Sequence, residues 1–199
     1  MSGRTIARLF DSYDDAAQSV RDLEAAGFAH ADISLVANNA DNRVVEDGNA
    51  GGNEAGAGAE VGAVGGALAG GGAGVLAGLG LLAIPGVGPV VAAGWLAALA
   101  VGAAGGAAAG GLLGALLGAG ISKEHAEVFA EGVRRGGALV TVRTSVERHD
   151  EASAILDKNA VDPVSRRAEY ASSGWSAYNP DGSLITEADL DRERQTERL

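Results

Sequence analysis

Hydrophobic positions alternate and then change period twice along this chain. Residues 5–10 are rich in β-formers and predict a strand. Ser12 can cap the helix that follows, with Asp15 three residues on as the acidic partner of a capping box. Ala16, Ala17, Val20, Leu23 and Ala26 then recur at helical spacing, and Gly27 closes the helix. A second strand is predicted over 33–37. Residues 38–54 carry Gly and Asn clusters and read as a linker.

The far end of the chain repeats this order. Ser122 caps a helix bearing Ala126, Phe129, Ala130 and Val133 on one face, ended by Gly136 and Gly137. Residues 138–144 predict a strand. Asp150 starts a helix through Ala152, Ile155 and Leu156, and a short strand is predicted over 161–166, where Pro163 argues for an edge. The two strand–helix–strand units suggest an α+β, ferredoxin-like βαββαβ sheet. The expected division is residues 1–40 and 122–167 for the two halves of that domain, with a linker over 41–57. Residues 168–199 are read as a polar tail, with a turn at Asn179-Pro180-Asp181-Gly182 and a short charged helix after Thr186.

Residues 58–121, between strands two and three, follow another rule. Gly58, Gly62, Gly66, Gly70, Gly74 and Gly78 fall at every fourth position. Gly94, Gly102, Gly106, Gly110, Gly114 and Gly118 do so again, with Ala98 in the missing rung. Small residues at this spacing let helix backbones approach closely. Pro85, Gly86, Gly88 and Pro89 mark a tight reversal between the ladders. The pattern predicts a glycine-zipper helical hairpin with arms of about 25 and 30 residues, or about 38 and 45 Å. A bilayer core of about 30 Å needs about 20 residues. A four-residue step also winds each rung about 40° around the axis, so the stripe faces more than one neighbour. Homo-oligomerisation through the ladders is the expectation.

Composition sharpens this. The chain has 199 residues, 32 of them Gly, and a formal charge of −11. Residues 61–122 hold no charged side chain, whereas 1–60 carry −7 and 123–199 carry −4. Cations such as Arg43 and Lys123 flank the uncharged zone on both sides, so the positive-inside rule leaves both flanks cytoplasmic. Glycine costs about 1 kcal/mol per helical residue relative to Ala, so such helices need rescue. Lipid can provide it, because unpaired amides are costly there. A tightly packed assembly can do so through dispersion. Membrane lipid and a second copy of the chain are therefore the expected partners. Two localisations stay open: a cytoplasmic membrane with both flanks on the cytoplasmic side, or a soluble cytoplasmic assembly.

Candidate chemistry is sparse. With no Cys there are no disulfides, thiolate sites or Cys nucleophile. The net negative charge argues against nucleic-acid binding. His30, His125 and His149 form no short-range ligand pair, so no metal is expected. Glu124, Glu127 and Glu131 share a helix with His125 and read as a solvated face. A loose dinucleotide fingerprint, Gly78-Leu79-Gly80 followed by Ala83, lies within an apolar run rather than between a strand and a helix. Neither a phosphate loop nor a nucleophile elbow is present. No catalytic residue and no cofactor are predicted.

Three strings carry a likeness. They are Leu9-Phe10-Asp11-Ser12-Tyr13-Asp14-Asp15-Ala16, the reversal Ala83-Ile84-Pro85-Gly86-Val87-Gly88-Pro89, and Glu131-Gly132-Val133-Arg134-Arg135-Gly136-Gly137 with Leu139-Val140-Thr141-Val142. Together they resemble the bacterial general stress protein 17M / heat-induced stress protein family, in its glycine-zipper members, over about residues 4–165. The resemblance implies a stress-induced, non-enzymatic bacterial protein with no catalytic residues to carry over. The leading expectation is a stress protein that self-associates through its hairpin in or at the membrane. The alternatives are a soluble oligomer with a shared apolar core that binds lipid or another apolar ligand, and a small-ligand sensor.

Overall fold

A computed structural model describes residues 4–38, 80–84, 88–96 and 111–179. They form a mixed α/β body with a five-stranded antiparallel sheet in the order β1-β5-β2-β4-β3. The strands are β1 Arg4–Phe10, β2 Ile33–Asn38, β3 Gly80–Ile84, β4 Gly88–Gly94 and β5 Ala138–Thr144. The helices are α1 Tyr13–Ala25, α2 Gly111–Gly118, α3 Lys123–Arg134, α4 His149–Leu156 and α5 Pro163–Ser172.

Both faces of the sheet are covered, so strands β1, β2 and β5 are apolar on alternate residues in both directions. Ile6, Phe10, Leu35, Val140 and Val142 point toward α1 and α4, joining Val20, Leu23 and Leu156. Leu9, Val36 and Leu139 point the other way, toward Leu112, Leu116, Phe129 and Val133 of α2 and α3. The helix ends follow the local sequence. Ser12 Oγ accepts the Asp15 amide, and Gly27 takes φ +82° while Phe28 N–H donates to Leu23 O. Ser122 Oγ accepts the His125 amide at the start of α3.

Four expectations change. Within the predicted helical hairpin, residues 80–84 and 88–94 are strands, with Ile84 opposite Gly88 across the reversal. Branched and bulky residues crowd this stretch (Leu81, Leu82, Ile84, Val90, Val91), and β2 offers an open edge to pair with. The reversal therefore belongs to the sheet rather than to the far end of a helical hairpin. Trp95 fixes it there: its indole N–H donates to Asp32 O at 3.1 Å, and the Arg143 guanidinium stacks on the ring at 4.9 Å. Second, the strand expected over 161–166 shrinks to one bridge, Val161 opposite Leu9. Asp162 caps α5 and Pro163 takes its first turn, where a missing N–H costs nothing, so the chain turns helical. Third, the polar tail does not begin at 168. Helix α5 runs through that boundary, and Tyr170 and Tyr178 are buried. Fourth, Glu127 and Glu131 are not on a solvated face: both are buried.

Among the described residues no helix is long and apolar enough to cross a membrane.

Candidate functional site

The ladder residues divide in three. Gly58, Gly62, Gly66, Gly70, Gly74, Gly78, Gly102, Gly106 and Gly110 lie outside the described residues, as do Pro85 and Gly86. Gly88 and Pro89 open β4, and Gly94 ends it. Gly94 has φ +88°, and a Cβ there would run into the Ile33 carbonyl oxygen and lie 2.8 Å from Ser34 Cα. Its glycine is demanded by sheet packing within the chain. Gly114 and Gly118 are in α2, and a Cβ on Gly118 would meet nothing within 4 Å. Gly118 is thus an open small-residue surface on α2.

The string Glu131–Gly137 has a structural explanation. Gly132 faces β1 so closely that a Cβ would collide with the Leu9 side chain. Gly136 takes φ +102° past the end of α3, and Gly137 N–H donates to Gly132 O at 2.9 Å. A Cβ on Gly137 would sit 2.8 Å from Phe10 O. Asn38 Nδ2 donates to the carbonyls of Val133 and Arg134 at 3.0 Å each, closing the same helix end from β2. Glu131, 1% exposed, accepts from Arg134 Nη2 at 2.6 Å, Arg134 Nε at 2.8 Å and Arg135 Nε at 2.7 Å. Burial pushes its carboxyl up, but the two guanidiniums outweigh that and hold it below the usual carboxylate range. Arg135 in turn lies 4.5 Å over the Tyr170 ring. Burial pushes the Tyr170 and Tyr178 phenols up to about 12. The cluster ties α3 to α5.

A cavity of about 670 Å³ runs beside the outer edge of β1. Its floor is residues 5–8. One wall carries Ile121, His125 and Phe129, and the other carries His149 and Asp157. Sequence spacing could not bring His125 and His149 together; the fold does so by setting the starts of α3 and α4 on opposite walls. Asp162 stands at one end. Its carboxyl is held below the usual range by hydrogen bonds from Ser165 Oγ (2.6 Å) and the Ser165 amide, and His125 adds to this. Arg8 crosses the cavity floor, donating from Nε to Asp157 at 2.5 Å and from Nη1 to Ala7 O at 3.0 Å. Among the described residues no group of three His, Asp or Glu side chains could hold a metal. The cavity offers imidazole donors, one neutralised ion pair and an apolar wall.

The chain matches no known family model, no curated protein and no solved structure.

Proposed function

We propose that this chain is a non-enzymatic assembly protein of the bacterial stress response. Its α/β body is cytoplasmic, and its uncharged glycine-laddered zone packs against apolar partners. The observation that carries this reading is the 62-residue run from 61 to 122 without a charge. A stretch of that length without charge is better matched to apolar neighbours than to water. Part of the run is used inside the body, as β3, β4 and α2. We assign the six rungs from Gly58 to Gly78, and those at Gly102, Gly106 and Gly110, to contact with other copies or with lipid. Both sources supply the same thing, a close apolar neighbour for a small-residue stripe.

We also read the body as a ferredoxin-like unit. Strand β5 lies between β1 and β2, α1 and α4 share one face, and Val161 stands where a fourth strand would pair with β1. Strands β3 and β4 then extend the sheet beyond β2.

Size analysis of the full-length protein without detergent tests assembly: a particle several times 19.7 kDa is expected. A particle of 19.7 kDa at every concentration overturns the reading. Flotation with lipid vesicles, followed by an alkaline carbonate wash, distinguishes the two apolar partners. Retention in the lipid fraction identifies the bilayer; release as an intact particle identifies other copies.

A further inference from the structure

The sheet ends in two edges, and the chain treats them oppositely. An open edge invites another strand, and proteins usually block it with charge, proline or a covering segment. The β1 edge is blocked in all three ways. Val161 N–H donates to Leu9 O at 2.8 Å, Arg8 covers Ala7 O at 3.0 Å, and Pro163 stops Val161 from extending into a strand. Among the described residues the β3 edge has none of these. Its five residues, Gly80-Leu81-Leu82-Ala83-Ile84, contain no charge and no proline.

The register fixes which groups face outward. Ala83 is opposite Pro89, which has no N–H to donate. That pair is therefore the non-hydrogen-bonded kind, and Leu82–Val90 and Gly80–Ala92 are the bonded ones. The same alternation carries through the sheet: Asn38 N–H donates to Gly137 O on the β5 side of β2, and Leu9 O receives Val161 on the far side of β1. Leu81 and Ala83 thus turn their N–H and C=O groups away from β4, on the side where the strand order ends.

We propose that β3 is the seam between two copies of this chain, paired antiparallel about a two-fold axis at Leu82. The proposal rests on the self-association reading and gives it a register. A strand edge is self-complementary under a two-fold axis, because each residue offers one donor and one acceptor. With Leu82 facing the partner's Leu82, each Leu81 exchanges two hydrogen bonds with the partner's Ala83, which satisfies all the outward groups of both residues. Charge favours this edge over any other. Each copy carries −11, so copies repel, and β3 lies inside the one long stretch with no charge. The joined sheet has ten strands and ends on both sides in the blocked β1 edge.

The protein has no cysteine, so Leu82→Cys introduces a unique thiol. A non-hydrogen-bonded antiparallel pair has Cα atoms about 4.5 Å apart, inside the disulfide window of about 4.4–6.8 Å. Mild oxidation of full-length L82C is expected to give a disulfide-linked dimer. V146C, whose parent residue is 53% exposed and remote from the seam, serves as the collision control and is expected to stay monomeric on a denaturing gel. Adding Ala83→Pro to L82C removes an outward N–H without touching the β4 ladder and is expected to abolish the cross-link. Hydrogen exchange on the unmodified protein covers the case where a variant misfolds. The Leu81 and Ala83 amides are expected to exchange slowly in concentrated protein and at least tenfold faster on dilution. Protection that ignores dilution assigns the edge to the chain's own residues and overturns the seam. Particles of multiple mass with no L82C cross-link overturn the seam and leave self-association standing. A mass of 19.7 kDa throughout overturns both.

Discussion

Glu131→Gln isolates the charge of the most deeply buried carboxylate among the described residues, with almost no change in shape. Glu131 receives three guanidinium hydrogen bonds of 2.6–2.8 Å and is 1% exposed. Hydrogen bonds to a charged group are worth about 1.5–3 kcal/mol each. Breaking a fully buried pair costs about 3–5 kcal/mol, mostly because a charge is stranded. Here the arginines are 18% exposed, so water reaches them once the carboxylate has gone. We therefore expect a loss of about 2–3 kcal/mol at neutral pH, between those bounds. That corresponds to a fall in Tm of about 4–12 °C for a domain of this size. The folded-state pKa of Glu131 is lowered, so its contribution is complete above the unfolded carboxyl pKa. It disappears as pH falls through the folded value. Urea titrations of wild type and E131Q at pH 7 and in stepwise acid read both effects. The midpoint gap should be wide at pH 7, close in acid, and leave the slope unchanged. Equal midpoints at pH 7, or a gap that ignores pH, would refute the reasoning. Glu169→Gln is the control: its partner Arg166 lies at 3.3 Å on a half-exposed carboxylate, and about 0–1 kcal/mol is expected.

Four further outcomes follow from the same geometry. Gly137→Ala and Gly94→Ala each drive a Cβ into backbone, at Phe10 O and at Ile33–Ser34, and each should cost more than about 2 kcal/mol by thermal melt. Gly118→Ala meets open space in a helix and should raise stability by up to about 1 kcal/mol; a loss would mean the site is already packed within the chain. Trp95→Phe removes the bond to Asp32 O and weakens the Arg143 stacking, so about 1–2 kcal/mol of stability should go, read by urea midpoint. All three tyrosines are shifted up by burial, Tyr170 and Tyr178 to about 12. Absorbance at 295 nm should therefore show tyrosinate appearing only above its ordinary pH. The stability these phenols supply is whole below the unfolded value near 10 and is lost toward about 12. The double variant Y170F/Y178F should flatten that alkaline limb.

What was legible in the chain is what local chemistry decides. Ser12, Ser122, Gly27 and Gly136 mark helix ends because caps and left-handed residues act over a few positions. The strands expected over 5–10, 33–37 and 138–144 are found at Arg4–Phe10, Ile33–Asn38 and Ala138–Thr144, since local propensity marks them too. Glu131 was not legible in this way, although Arg134 and Arg135 at i+3 and i+4 were the available sign: a carboxylate with two cations on its own face can go inside. The cavity could not be read at all, since His125 and His149 come to line one space only through the packing of α3 and α4 around β1.

Around the reversal the glycine spacing misled for a deeper reason. A period of four is a statement about helices only if the segment is helical, and glycine lowers the cost of every other backbone as well. Around the reversal, Leu81, Leu82, Ile84, Val90 and Val91 supply strand propensity, and β2 supplies a partner edge. The segment then gains a hydrogen-bonded ladder that a glycine-rich helix in water could not match. Gly94, a rung by count, becomes the residue that lets β4 end against β2 with positive φ. The same substitution of strand for helix moves the apolar reversal onto the sheet and leaves β3 as the last of the described strands. An uncharged strand in that position has donors and acceptors to satisfy, and a second copy can satisfy all of them at once.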